Sequence, residues 1–84
     1  MGWVVYILKC VDNSYYTGIT TDITRRIKEH NNKKGAKSIF GKLPVVLVYK
    51  EKSLNQVEAA KREREIKGWN HAKKEDLVKN KTLN

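Results

Sequence analysis

The sequence predicts an α+β domain, a three-stranded antiparallel sheet flanked by helices in the order β-β-α-β-α-α. Three observations predict it. Two β-branched and aromatic runs, Trp3–Cys10 (WVVYILKC) and Tyr15–Thr20 (YYTGIT), stand close together with turn residues between them. A third run of that kind (PVVLVY) begins at Pro44. The stretches between and after the strands carry helix caps and helix-spaced apolar residues. Strands joined by short connections, with helices gathered on the sheet, make an α+β layer structure.

The first strand is apolar on both faces, as a strand covered on both sides would be. Asp12, Asn13 and Ser14 form a turn cluster, and the second strand is interrupted by Gly18. Parity constrains the turn. If Tyr6 and Tyr16 share a face, paired residue numbers must sum to an even value, for example 24 or 26. The loop then holds three or five residues, or the hairpin carries a bulge, and a plain two-residue turn at Asp12-Asn13 is excluded. Asp22 caps a helix over Ile23–Asn32, which Lys33-Lys34-Gly35 stops. At about 100° per residue, Ile23, Ile27 and His30 lie on one stripe with Arg26 at its edge and Arg25 on the opposite side. Gly35–Leu43, with two glycines, Lys37, Lys42 and exposed-looking Ile39 and Phe40, reads as a mobile basic loop.

Pro44 opens the third strand, Pro44–Glu51, a position where proline is tolerated. Ser53 caps the second helix, with Gln56 completing a capping box. That helix runs to about Lys67 and ends at Gly68 as its C′ residue, with Trp69 packing back over the last turn. Asn70 caps a third helix, His71–Lys79. A single domain over residues 1–80 leaves 81–84 as a frayed tail.

Eighty-four residues make one domain, and a chain this short buries only about 60–65% of its unfolded surface. There is no secretory apolar region and no stretch near the length of a membrane span. The single cysteine, Cys10, has no partner for a disulfide or a metal knuckle and reads as a buried strand thiol, which points to a reducing compartment, the cytoplasm. Eighteen Lys and Arg against nine Asp and Glu leave a formal charge of +9. Such a field attracts polyanions, nucleic acid or an anionic surface. Charge alone says nothing about catalysis.

Glu58 stands out on the residues alone. It lies in the first turns of the second helix beside Val57, Ala59 and Ala60, a small apolar patch suited to packing on the sheet. It reads either as an i,i+4 partner of Arg62 near the helix N-terminus or as a ligand for Mg²⁺, which one carboxylate holds together with waters and phosphate oxygens. Tyr6 and Tyr16 read singly as strand packing residues, Arg26 as a surface ion pair and His30 as a packed helix histidine. Tyrosine is an unusual base at neutral pH, because a phenol with pKa near 10 is ionised in roughly one molecule in a thousand. A nearby cation must lower that pKa, or a water must relay the proton. Arg26 suits a phosphate clamp.

Taken in order, Val4-Val5-Tyr6, Tyr16-Thr17-Gly18, Arg26, His30 and Glu58 resemble the GIY-YIG nuclease superfamily, and within it the small stand-alone bacterial members. Tyr15–Thr20, Arg25-Arg26, His30-Asn31, Gly35-Ala36-Lys37, Pro44-Val45 and Ile66–Trp69 extend the resemblance over nearly the whole chain. It implies that Tyr16, with Tyr6, orients or deprotonates the attacking water, that Gly18 lets the backbone approach closely, and that Arg26 holds the scissile phosphate. It further implies that His30 supports the water or the base. Glu58 would hold a single divalent ion, Mg²⁺ or Mn²⁺, that polarises the phosphate and stabilises the leaving oxygen. Asn70 is a candidate for supporting the site, with a helix cap as its other reading. The first tripeptide lacks the namesake glycine, and Thr17 replaces the isoleucine of the second; neither departure removes a chemical group.

The leading expectation is a metal-dependent endonuclease acting on DNA, with branched or damaged DNA as the candidate substrate. No segment remains for a second, substrate-selecting domain, so selection falls to the basic surface, self-association or a protein partner. Lys33, Lys34, Lys37 and Lys42 are candidate nucleic-acid contacts. The alternative is a non-catalytic basic module that keeps the fold and binds DNA or RNA; a basic accessory protein on a ribosome or an acidic partner is a third reading. No membrane partner is expected, and the oligomeric state is left open. The nuclease reading carries a geometric condition: Glu58 must face Tyr6, Tyr16 and Arg26.

Overall fold

In a computed structural model that describes residues 2–81, three strands form one antiparallel sheet: β1 (Trp3–Lys9), β2 (Tyr15–Thr20) and β3 (Val46–Ser53), in the order β2-β1-β3. The helices are α1 (Ile23–Asn31), α2 (Gln56–Lys67) and α3 (His71–Lys81), with a 3-10 segment at Lys37–Lys42. The expected order holds, with the 3-10 segment added between α1 and β3. Residues 82–84 of the expected tail lie outside the described residues; Lys81 closes α3. No described helix is long and apolar enough to cross a membrane.

Successive side chains of β1 point to opposite faces, and each face builds its own core. Val5 and Ile7 join Tyr49 of β3, Ala59 and Ile66 of α2 and Val78 of α3. Tyr6 and Leu8 join Cys10, Ile39 and Val45, with Ile23 and Ile27 of α1 packed against them. The central strand is therefore covered on both sides, which is why its sequence does not alternate. Tyr6 pairs with Gly18 and Leu8 with Tyr16, so paired numbers sum to 24 and both tyrosines share a face. The loop between the strands is the five residues 10–14. Asn13 turns it with φ 69°, and the Asp12 carboxylate accepts from the Ser14 backbone N–H.

Four local expectations are corrected. Gly35–Leu43 is not an exposed loop: Ile39 is only 4% exposed, because the 3-10 segment lays it onto the Tyr6–Leu8 face. The third strand starts at Val46, since the Asn31 side chain takes both polar groups of the Val45 backbone, accepting from its N–H at 2.8 Å and donating to its carbonyl at 3.3 Å. The cap of α2 is Asn55, whose side chain accepts from the Glu58 N–H at 2.9 Å, while Ser53 ends β3. Gly68 ends α2 in right-handed geometry and needs no glycine-only conformation.

Trp69 does pack back, between the guanidinium of Arg62 and the ammonium of Lys73, and joins the core under α2. His71 ties α3 to the hairpin by stacking on Tyr15 and bonding to the Asn13 carbonyl.

Candidate active site

The face shared by Tyr6 and Tyr16 carries the polar cluster. Gly18, directly across from Tyr6, lies beneath its ring, and a Cβ there would come within 2.5 Å of the phenol oxygen. Glycine is required at this point of β2 by the tyrosine that covers it. Tyr6, Tyr16 and His30 form a triangle of rings, with centroid separations of 6.4 Å between the tyrosines and 6.1 and 5.2 Å from them to the imidazole. His30 reaches this cluster because it sits on the inward stripe of α1, whose start Asp22 fixes by capping the Arg25 N–H.

His30 is buried and held at both nitrogens. Nδ1 accepts from the Ala36 N–H at 3.3 Å, and Nε2 lies 2.9 Å from the Tyr6 hydroxyl. Burial, helped by the Arg26 charge, holds the imidazole pKa below its usual value, so the ring is neutral at neutral pH. With Nδ1 accepting, the ring proton resides on Nε2, and His30 donates to Tyr6. The phenol's own proton is then directed elsewhere. The backbone that fixes this tautomer must come close: a Cβ on Gly35 would overlap Nδ1 itself. Gly35 and Ala36 are thus part of the site's support, which sequence reasoning assigned to a helix stop and a loop.

Desolvation pushes the Tyr6 phenol up to about 12; the neighbouring Arg26 guanidinium opposes this, while Tyr16 and Glu63 add to it. Arg26 does project toward the sheet, as its place on α1 implies, and it is held by Glu29 at 3.0 Å. Arg25 pairs with the same carboxylate from the solvent side.

The acidic residue expected here is not the one the fold supplies. Glu58 lies on the exposed flank of α2, its side chain 48% exposed and paired with Lys61 at 3.4 Å, in a groove shared with Arg62 and Glu65. The condition set for Glu58 is therefore not met. Glu63 is five residues further, roughly 140° around the helix, and its side chain is only 23% exposed. It lies near enough for its charge to act on Tyr6. Its partner Lys67, at 3.2 Å, comes to the β2 edge with its ammonium 5.9 Å from the centre of the Tyr16 ring. The missed signal was spacing: Glu63 falls four residues after Ala59 and three before Ile66, the two buried positions of α2.

Among the described residues no three His, Cys, Asp or Glu side chains gather as a metal cage. A lone, partly exposed carboxylate is nonetheless the donor set Mg²⁺ takes when waters and phosphate oxygens complete its shell. Glu63 fits that requirement. Asn70 caps α3, accepting from the Lys73 N–H at 2.9 Å. Lys33, Lys34 and Lys37 are exposed around the Gly35–Ala36 turn, whereas Lys42 is drawn back to Asp12 and Ser14.

Comparison with known proteins agrees with this architecture. The UPF0213 protein of Desulfotalea psychrophila is 50% identical over 78 residues, covering 92% of this chain and 71% of its own. That of Natronomonas pharaonis is 46% identical and covers 93% and 92%. The solution NMR structure of the UPF0213 protein BH0048 from Bacillus halodurans superimposes with a TM-score of 0.63 at 46% identity, over 98% of this chain and 87% of that one. The solution NMR structure of the protein EF2693 from E. faecalis gives 0.66 at 35% identity, over 100% and 90%. The family model described as the GIY-YIG catalytic domain matches residues 2–76, and the chain belongs to the GIY-YIG nuclease family.

Proposed function

We propose that this protein is a metal-dependent endonuclease that hydrolyses DNA phosphodiesters by in-line attack of water. The observation that carries the reading is the convergence of Tyr6, Tyr16, His30, Arg26 and Glu63 where the two layers meet at the β2 edge. Arg26 binds the scissile phosphate through its guanidinium and offsets the charge that develops on it. His30 holds Tyr6 with its Nε2–H; the phenol gives its own proton to solvent and takes the proton that the attacking water loses. Tyr16 closes the other side of that water's position. Glu63 would hold a divalent cation, and the chemistry such a cation would supply is positive charge toward the phosphate and the leaving oxygen. Lys33, Lys34 and Lys37 contact the backbone of the strand.

A second reading, a non-catalytic binding module, draws on one observation: Lys67 already neutralises Glu63. One experiment separates the two. Purified protein is incubated with branched, nicked and single-stranded DNA and Mg²⁺, beside the Glu63→Gln and Glu58→Gln variants. The nuclease reading expects cation-dependent cutting that falls by two or more orders of magnitude in Glu63→Gln and stays within about twofold in Glu58→Gln. Equal cutting by Glu63→Gln removes that residue from the site, and no cutting by any form leaves the binding module.

A further inference from the structure

Beside Arg26, a groove of roughly 240 Å³ lies between the end of the sheet and the start of α1, walled by Trp3, Ile19, Thr20, Thr21 and Glu29. We propose that it receives one unpaired nucleobase of the substrate, the base next to the phosphate on Arg26; this rests on the nuclease reading above. Its size suits a small occupant: pockets for drug-sized ligands begin at about 300 Å³, and this open groove is smaller, on the scale of a single heterocycle.

Its charge points the same way. Arg25 and Arg26 are balanced by Asp22 and Glu29, both lining the groove, so it is neutral on a chain of formal charge +9. A neutral ring suits it better than a second phosphate. Trp3 packs against the Val5–Ile7 core at the end of the sheet and is partly exposed where it lines the groove, and an indole there is a surface on which a base stacks whatever its sequence. Thr21 lines the groove and brings a hydroxyl for the edge of the base, while the Thr20 hydroxyl is taken up by the Asp22 backbone and the Glu29 carboxylate by the two arginines. Because Arg26 belongs to both groove and phosphate site, a strand held there brings the attached base to the indole. A stacked, paired base cannot enter without leaving the duplex. The groove therefore selects flaps, bulges, junctions and single strands over continuous duplex.

The test uses DNA carrying 2-aminopurine, either unpaired at a single-strand junction or paired within a duplex, titrated with the full chain without divalent cation so that no strand is cut. Wild type is expected to quench the unpaired probe and to bind junction DNA about five- to a hundredfold more tightly than duplex, the range of one base–aromatic stack. Trp3→Leu, which keeps an apolar side chain beside Val5 and Ile7, loses both, and Trp3→Phe recovers them. Equal quenching by Trp3→Leu and wild type, or none by wild type, overturns the groove. Should Trp3→Leu fail to fold, the probe is moved one nucleotide at a time against wild type: a quench confined to one position supports the groove, and a uniform quench overturns it. Cutting with Mg²⁺, measured in parallel, reports separately on the nuclease reading. Cutting without Trp3-dependent quenching leaves a nuclease with no base site, and quenching without cutting leaves a base site with no nuclease.

Discussion

Tyr6 and Tyr49 stand on opposite faces of the sheet, one on the central strand and one on its neighbour, and burial pushes both phenols up to about 12. Their partners differ in kind. Tyr49 donates its proton to Glu51, which Arg62 grips at 3.0 Å from α2. That arrangement favours the neutral phenol and raises its pKa further. Tyr6 accepts from His30 and lies beside Arg26, both of which favour the oxygen anion. Both side chains are buried; the direction of the hydrogen bonds is opposite. Tyr49 is a strut, and Tyr6 is a phenol whose proton has no fixed destination.

The sharpest contrast comes from removing each hydroxyl. Tyr6→Phe and Tyr49→Phe should each destabilise by about 1–2 kcal/mol, the first by leaving buried His30 without its Nε2 partner, the second by removing one hydrogen bond of Glu51, which keeps Arg62. In thermal melts that is a drop of about 5–15 °C. Strand cutting should separate them: Tyr6→Phe is expected to lose 10²–10⁴-fold, the scale of a proton-transfer contribution, and Tyr49→Phe to stay within about threefold. Equal activities would make both tyrosines struts.

Next in size is the arginine pair that shares Glu29. Arg26→Ala should lower the single-turnover rate by about 10²-fold or more, while Arg25→Ala, exposed and at the rim of the groove, should change it less than about fivefold. Matching losses would remove the distinction between the inward and outward guanidinium.

A smaller effect follows from His30. Its folded pKa lies below the ordinary 6.5, through burial and then Arg26. The unfolded chain therefore binds more protons between those values, and stability is whole above about pH 6.5 and declines as pH falls toward the folded pKa. Thermal melts across pH 5–8 should show that slope on the Tyr6 face, and His30→Gln should flatten it; an unchanged slope would place its origin elsewhere. The smallest expected change belongs to the Tyr49 face. Thr17, beside Ile7, buries a hydroxyl with no partner among the described residues. Thr17→Val should raise stability by about 1 kcal/mol with cutting unaltered, as denaturant melts and a cleavage assay would show.

Much of this was legible in the sequence because the relevant constraints are local. Given Tyr6 and Tyr16 on one face, strand parity called for a three- or five-residue loop or a bulge, and the loop has five; the stripe of Ile23, Ile27 and His30 set which arginine faces inward. The Glu63 position was not legible in the same way. In α2 only Ala59 and Ile66 mark the buried side, while Val57 in its first turn and Leu54 just before its cap are exposed, against their hydrophobicity. With so few apolar residues the helix phase is set by tertiary partners, Arg62 with Glu51 and with Trp69, pairings that the apolar pattern of the helix does not encode. Ile39 escaped for a related reason: a six-residue 3-10 segment has no period to read.

The turn that follows α1 joins two jobs in one short piece of backbone. The Ala36 amide that decides which imidazole nitrogen is protonated is flanked by Lys33, Lys34 and Lys37. On the proposed nuclease reading, a polyanion gripping those ammonium groups would bear on the segment that tethers His30, and arrival of the strand would then be linked to the state of the phenol. Salt that weakens the grip would then be felt at the Tyr6 phenol as well as in affinity.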